Sequence, residues 1–362
     1  MKKDFSAPEN LSGLRREDFQ KTVNGKKTDL YFLKNEKMEI AVTNYGCAVV
    51  AMMVPDRRGN YASVVLGHDS IEHVIHSPEP FLGTTIGRYG NRIAKGKFTL
   101  NGKEYNLTIN NGPNSLHGGP KGFHAVVWDV ICFSESSVDF TYTSPDGEEG
   151  FPGNLMINML YTLTKDNEFV IRYKATTDQS TPINLTNHAF FNLAGISNPS
   201  PAVTNNILTI NADFFIPIDE VSIPTGEILK VEGTPMDFRT PTVVGERIDA
   251  PHKQTIFGAG YDHCYALKKS YAKELSFAAK CIEPLSGRVL EVYTTEPGIQ
   301  LYTGNWLNGF SGAHGATFPK RSAICFEAQH FPDTPNQAQF PASILNPGET
   351  YTQTTVYKFG IE

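Results

Sequence analysis

LMINMLYTLTKDNEFVIRYKA, residues 155–175, is the stretch whose reading decides the fold. Leu155, Ile157, Met159, Tyr161 and Leu163 recur at every second position. After the polar break Lys165-Asp166-Asn167-Glu168, the alternation resumes through Phe169, Ile171, Tyr173 and Ala175. Successive side chains of a strand point to opposite faces, so two period-two runs around a polar break predict an antiparallel hairpin with one buried face. The neighbouring sequence repeats the pattern. Val138, Phe140 and Tyr142 form a further alternating run, closed by Ser144-Pro145-Asp146-Gly147. Upstream, Phe98 and Leu100 lead into Asn101-Gly102 and out through Tyr105 and Leu107. Asn-Gly supplies the positive φ angles of a tight type I′ turn, so a second hairpin is expected there.

Helical periodicity is nearly missing. Residues 68–78 could hold a short helix, and no long segment carries apolar residues at i, i+3, i+4 and i+7 between good caps. Strands broken by Gly- and Pro-rich turns predict an all-β sandwich or barrel. No linker, repeat or composition shift divides residues 1–362, which read as a single domain.

Composition narrows the function. Net charge is −6, from 32 basic and 38 acidic residues, without the basic surplus of a nucleic-acid binder. No apolar run approaches the ~20 residues that cross a bilayer, so no membrane partner is expected. Five cysteines (Cys47, Cys132, Cys264, Cys281, Cys325) include no CxxC pair, which suggests neither zinc nor a disulfide framework. Most have apolar neighbours, as core thiols in a reducing compartment would. The N-terminal lysines are followed by no apolar run, so no leader is read there. A cytoplasmic location is expected, or a periplasmic one if a leader has been removed.

Four polar stretches interrupt the strand pattern. GRYGNRIAKGKF (87–98) carries Asn91 and Arg92, which together offer a fork of donors and an amide suited to sugar hydroxyls. A surface arginine beside a capping asparagine fits the same residues. NNGPNSLHGGPKGF (110–123) places His117 before two glycines, which would let backbone approach a ligand closely. A loop histidine bonded to backbone is the bland alternative, and no second ligand lies at metal spacing. INLTNHAFFNLAG (183–195) sets His188 between Asn187 and an apolar run, where it is a neutral-pH acid/base or a core histidine. RSAICFEAQHFPDTPN (321–336) alternates Ala323, Cys325 and Glu327, putting a glutamate on a strand face with two small neighbours, which could leave a concave space above it; an edge-strand glutamate facing solvent fits the same pattern. Asp262 in GAGYDHCY and Gln300 in TEPGIQLYTGNW are weaker candidates for binding hydroxyls, and Trp306 and Phe331 for stacking on a sugar ring.

Taken together, VPDRRGNYASVVLGHDS, GRYGNRIAKGKFTLNGKEYNL, NGPNSLHGGPKGF, NLTNHAFFNLAG, GTPMDFR, GYDHCY, PGIQLYTGNW and CFEAQHFPDTPN resemble the aldose 1-epimerase (galactose mutarotase) family, in the family's order, from about Asn44 onward. Residues 1–25 resemble it least and read as a variable segment. The resemblance implies a large antiparallel β-sandwich with few short helices and an open cleft on one sheet face. It also implies interconversion of the α and β anomers of free hexoses such as glucose and galactose, by acid/base ring opening and closing. Carried over by motif, Glu327 is the expected base, His188 the acid, and His117 a second essential histidine near the ring oxygen. Asn91, Arg92, Asp262 and Gln300 are the expected hydroxyl binders. One of the acid/base pair is expected ionised and the other protonated near pH 7, giving a bell-shaped pH profile. No cofactor is required, a calcium-like incidental cation is left open, and monomer and homodimer are both compatible. The competing readings are a glycosidase pairing Glu327 with Asp262, a non-catalytic sugar-binding module, and a phosphosugar epimerase, which would need extra basic residues at the cleft.

Overall fold

A computed structural model describes residues 10–362. The quoted hairpin forms as read. Leu155–Leu163 pairs antiparallel with Glu168–Thr177, Leu155 opposite Thr177 and Leu163 opposite Phe169, with the alternating apolar residues buried. It lies within a nine-stranded sheet ordered Asp129–Phe133, Ser137–Ser144, Leu155–Leu163, Glu168–Thr177, Tyr351–Ile361, Arg288–Thr294, Ser276–Ile282, Ile207–Ile210, Thr242–Val243.

Opposite this sheet stand two smaller ones. The four-stranded sheet comprises Leu30–Lys34, Glu39–Thr43, Val49–Pro55 and Tyr61–Ser63. The five-stranded sheet runs Leu229–Lys230, Phe214–Phe215, Asp262–Ala266, Gly298–Tyr302, Cys325–Gln329. One core cluster joins Ile40 and Val49 of the first, Tyr265, Leu301 and Phe326 of the second, and Ile157, Ile171 and Tyr357 of the nine-stranded sheet. Alternation makes this possible, because each strand gives one row of side chains to the shared interior, each fully buried aliphatic or phenyl group contributing ~1.5–3 kcal/mol. Two side chains also tie the layers. Tyr357 Oη donates to the Phe326 carbonyl at 2.8 Å, and Gln353 Nε2 to that of Ala328 at 3.0 Å.

The Asn-Gly hairpin also forms, Lys97–Leu100 with Lys103–Asn106, with φ of 51° at Asn101 and 77° at Gly102. The expected helix is a single turn, Ile71–Ile75, capped by Ser70 Oγ accepting from the His73 N–H. A second, Lys253–Phe257, is too short to leave a periodic signal. Of residues 1–25, the first nine lie outside the described residues. The rest is anchored: Leu11 and Ser12 N–H groups donate to the buried Glu39 carboxylate, and Leu14 and Phe19 pack on the four-stranded sheet. All five cysteines are free, Cys132 exposed and the others buried. Among the described residues, no helix is long and apolar enough to cross a membrane.

Candidate active site

Period two decides what the outer face of the five-stranded sheet presents. Phe326 and Ala328 turn toward the interior, so Cys325, Glu327 and Gln329 point away from it. Glu327 lies opposite Gln300, Gln300 opposite Cys264, and Asp262 opposite Tyr302, which brings Glu327, Gln300, Tyr302 and Asp262 onto one face. Gln300 Nε2 donates to Asp262 Oδ1 at 2.7 Å. The other Asp262 oxygen lies 3.8 Å from Arg92 Nη2, and Arg92 Nε donates to Asn111 Oδ1 at 3.0 Å. The concave space expected above Glu327 is present, although its small neighbours Ala323 and Cys325 do not themselves border it. Leu66, Phe190, Tyr302, Leu307 and Phe318 cover them, and the cleft opens over Glu327 itself.

His188 reaches this face from the strand pair Thr186–Asn187 and Thr85–Ile86. Its backbone N–H donates to Thr84 and its carbonyl accepts from Gly83. The imidazole lies near-parallel to Phe190 and to Phe81, with ring centres 4.8 and 6.1 Å away, so its plane is fixed. Nε2 is thereby held 3.6 Å from Glu327 Oε1. His117 meets His188 edge-on at 5.2 Å. Its own N–H donates to the Asn91 carbonyl at 3.0 Å, and its Nδ1 accepts from the Asn91 N–H at 3.1 Å. A ring nitrogen that accepts carries no proton, so neutral His117 holds its proton on Nε2. The two glycines after it lie against other parts of the chain: a Cβ on Gly118 would sit 2.0 Å from the Gly87 carbonyl oxygen, and one on Gly119 2.5 Å from Glu149 Oε2.

Burial dominates the electrostatics. Desolvation, then the Asp262 charge, push the Glu327 carboxyl well above its usual range, and Arg92 opposes them. Desolvation likewise lowers His188 to about 3 and His117 well below its ordinary value. Burial thus works against an ionised Glu327 and against a protonated His188 alike. A carboxylic acid facing a neutral imidazole carries the same total of protons and avoids two buried charges. Glu327 Oε2, His188 Nδ1 and Gln300 Oε1 are buried without a hydrogen-bond partner among the described residues. Glu327 with the two histidines is also a grouping that could hold a metal ion. To ligate through Nε2, however, His117 would have to give up the bond that Asn91 donates to Nδ1.

These groups surround a cleft of about 320 Å³. Asn91, Arg92, His117, His188, Asp262 and Glu327 all line it, as does Trp306. Gln300, 3% exposed, bonds to Asp262 without lining the wall itself. Phe331 does not belong here. It is buried against Phe340 and borders a separate cavity with His330 and Glu296. Sequence reasoning missed Glu79, Phe81, Asn111 and Tyr302, which also line the cleft. Tyr302 follows Gln300 by two positions in one strand, so alternation alone could have found it.

The family model for aldose 1-epimerases matches residues 29–358. This chain belongs to the aldose 1-epimerase family. The epimerase is 48% identical to the galactose mutarotase of Bos taurus over 91% of this chain and 93% of that protein. It is 36% identical to the aldose 1-epimerase of Escherichia coli K12, over 90% and 93%. Among solved structures, the GalM/aldose epimerase homologue from C. elegans superposes with a TM-score of 0.85 at 30% identity, covering 92% of this chain and 99% of that one. The galactose 1-epimerase from Lactobacillus acidophilus gives 0.80 at 28%, over 94% and 97%.

Proposed function

We propose that this epimerase interconverts the anomers of free aldohexoses, galactose and glucose among them, with Glu327 and His188 exchanging the two protons that ring opening requires. The observation that carries the reading is the buried Glu327–His188 pair, 3.6 Å apart and facing the cleft. One group takes the proton of the anomeric hydroxyl while the other protonates the ring oxygen as the carbon–oxygen bond breaks. The aldehyde turns about its first carbon–carbon bond, and closure reverses both transfers. A pair that shares one proton suits such symmetric work, since either member can begin as the donor. His117, with its proton on Nε2, would donate near the ring oxygen. Asn91, Arg92 and Asp262 would hold hydroxyls from the wall, with Gln300 orienting Asp262.

The chemistry needs no cofactor, because it involves neither redox change nor a covalent intermediate. We read the chain as one domain. Its unpaired cysteines fit a cytoplasmic location. What favours an epimerase over a glycosidase is the likeness to proteins named galactose mutarotase and aldose 1-epimerase, together with an imidazole set directly against Glu327 at 3.6 Å. The test is polarimetry on fresh α-D-galactose and α-D-glucose with wild type, Glu327→Gln and His188→Asn. Wild type should speed the decay of rotation and both variants should lose most of that effect. Release of aryl alcohol from aryl glycosides, with no effect on free sugars, would overturn the reading.

A further inference from the structure

The geometry points to Glu79 as a specificity-determining residue of the cleft, a third carboxylate that admits neutral aldoses and turns away sugars bearing a carboxylate or phosphate. This rests on the mutarotase reading. Glu79 lines the same cleft as Asp262 and Glu327, and Arg92 is the single lysine or arginine lining it among the described residues. Arg92 is already engaged by Asp262 and Asn111. A ligand anion therefore meets the Glu79 and Asp262 carboxylates beside one cation that Asp262 already faces at 3.8 Å, while burial disfavours charge on Glu327. Like charges held together in a partly desolvated space repel far more strongly than in water.

Glu79 is not a loose surface side chain. Ser77 Oγ donates to the Glu79 carbonyl at 2.8 Å and accepts from its N–H at 3.2 Å. Nε2 of the buried His68 meets the same hydroxyl at 2.9 Å, so the loop is pinned to the fold. The carboxylate is left largely to the cleft, taking from the described residues one long hydrogen bond, from the Phe81 N–H at 3.4 Å. Burial lifts this carboxyl to about 7. The charged and titratable groups around the cleft are Arg92, His117, His188, Asp262, Tyr302 and Glu327. Burial keeps both histidines uncharged and Tyr302 protonated near neutrality, so they add no charge there. Selection against anions should therefore strengthen as pH rises through 7.

The experiment compares kcat/KM for D-galactose and D-galacturonate, which differ only at C6, in wild type and Glu79→Gln. At pH 8 the variant should raise the galacturonate-to-galactose ratio about tenfold, and high salt should damp the difference. At pH 6, where the wild-type carboxyl is mostly protonated, the two ratios should come within about twofold. An unchanged ratio at pH 8, or the same change at both pH values, overturns the assignment to Glu79. No turnover of galactose by wild type overturns the mutarotase reading beneath it, so the two failures are told apart.

Discussion

Replacing Glu327 with glutamine separates what this side chain does for the reaction from what it does to the fold. Glutamine matches glutamate in shape, so no cavity opens at a position only 2% exposed. The amide cannot take a proton, and losing one general acid/base group lowers kcat by ~10²–10⁴-fold, about 2.7–5.4 kcal/mol in the barrier. Asn91, Arg92 and Asp262 still line the cleft, so sugar affinity should stay within a few-fold. Stability should move the other way. Burial raises the Glu327 carboxyl in the folded chain, so its contribution is present below the unfolded value of 4.5 and is lost as pH rises through the folded value. Glutamine has no such titration. Glu327→Gln should therefore gain on wild type by up to ~1.4 kcal/mol per pH unit across that window, and the gap should then level off. Polarimetry gives the first half, and urea unfolding at pH 5, 7 and 9 the second. Turnover within tenfold of wild type would refute the proton-transfer role, and a pH-independent gap in stability would refute the desolvation argument.

Acid should destabilise the protein through its buried neutral histidines. Desolvation holds His68 and His124 at about 4 and His188 and His263 at about 3, so folding relative to a histidine of 6.5 is favoured above that pH and loses this support as pH falls. Between pH 7 and 5 each should give up to ~2 kcal/mol, and His263→Gln should flatten the slope of urea stability against pH by up to ~1.4 kcal/mol per unit; parallel slopes would contradict it. Gly118→Ala should lower stability by ~2–4 kcal/mol, because its φ is +82° and the new Cβ meets the Gly87 carbonyl at 2.0 Å. Gly112→Ala, with φ +55° and open space, should lose only ~1–2 kcal/mol in the same thermal melts. Finally, burial lifts the Glu79 carboxyl to about 7, so any bend that it gives kcat/KM near that pH should vanish in Glu79→Gln, and a bend unchanged in the variant would assign it elsewhere.

Wherever one physical rule governed a segment, the fold could be read from the sequence. The hairpin at 155–175 needed only the opposed faces of a strand, and Asn101-Gly102 only the positive φ that its turn demands. Alternation through Cys325 and Glu327 likewise chose the correct face, though not the neighbours that cover Ala323 and Cys325. Those neighbours come from distant parts of the chain, as does the Gly87 carbonyl that explains Gly118. Glu79 left no signal, since it sits between two prolines outside any periodic run. Phe331 looked aromatic enough to stack on a sugar, but the strand stops at Gln329 and the chain turns away. The protonation of the central pair was illegible for a different reason: it depends on burial depth, which no residue type encodes.

The strand Tyr351–Ile361 lies in the middle of the nine-stranded sheet, between Glu168–Thr177 and Arg288–Thr294, and its Tyr357 and Gln353 brace the strand that bears Glu327. Its partner in the hairpin half of the sheet is made much earlier in synthesis. A nascent chain can close local hairpins as they emerge, but the gap between the halves stays unfilled until this late segment arrives. Loop-closure entropy over so long a separation favours slow folding, and two exposed strand edges must wait meanwhile. The floor beneath the cleft is thus among the last parts to be secured, so catalytic competence should report completion of the whole sandwich. Regain of mutarotation during refolding should accordingly lag the appearance of strand circular dichroism.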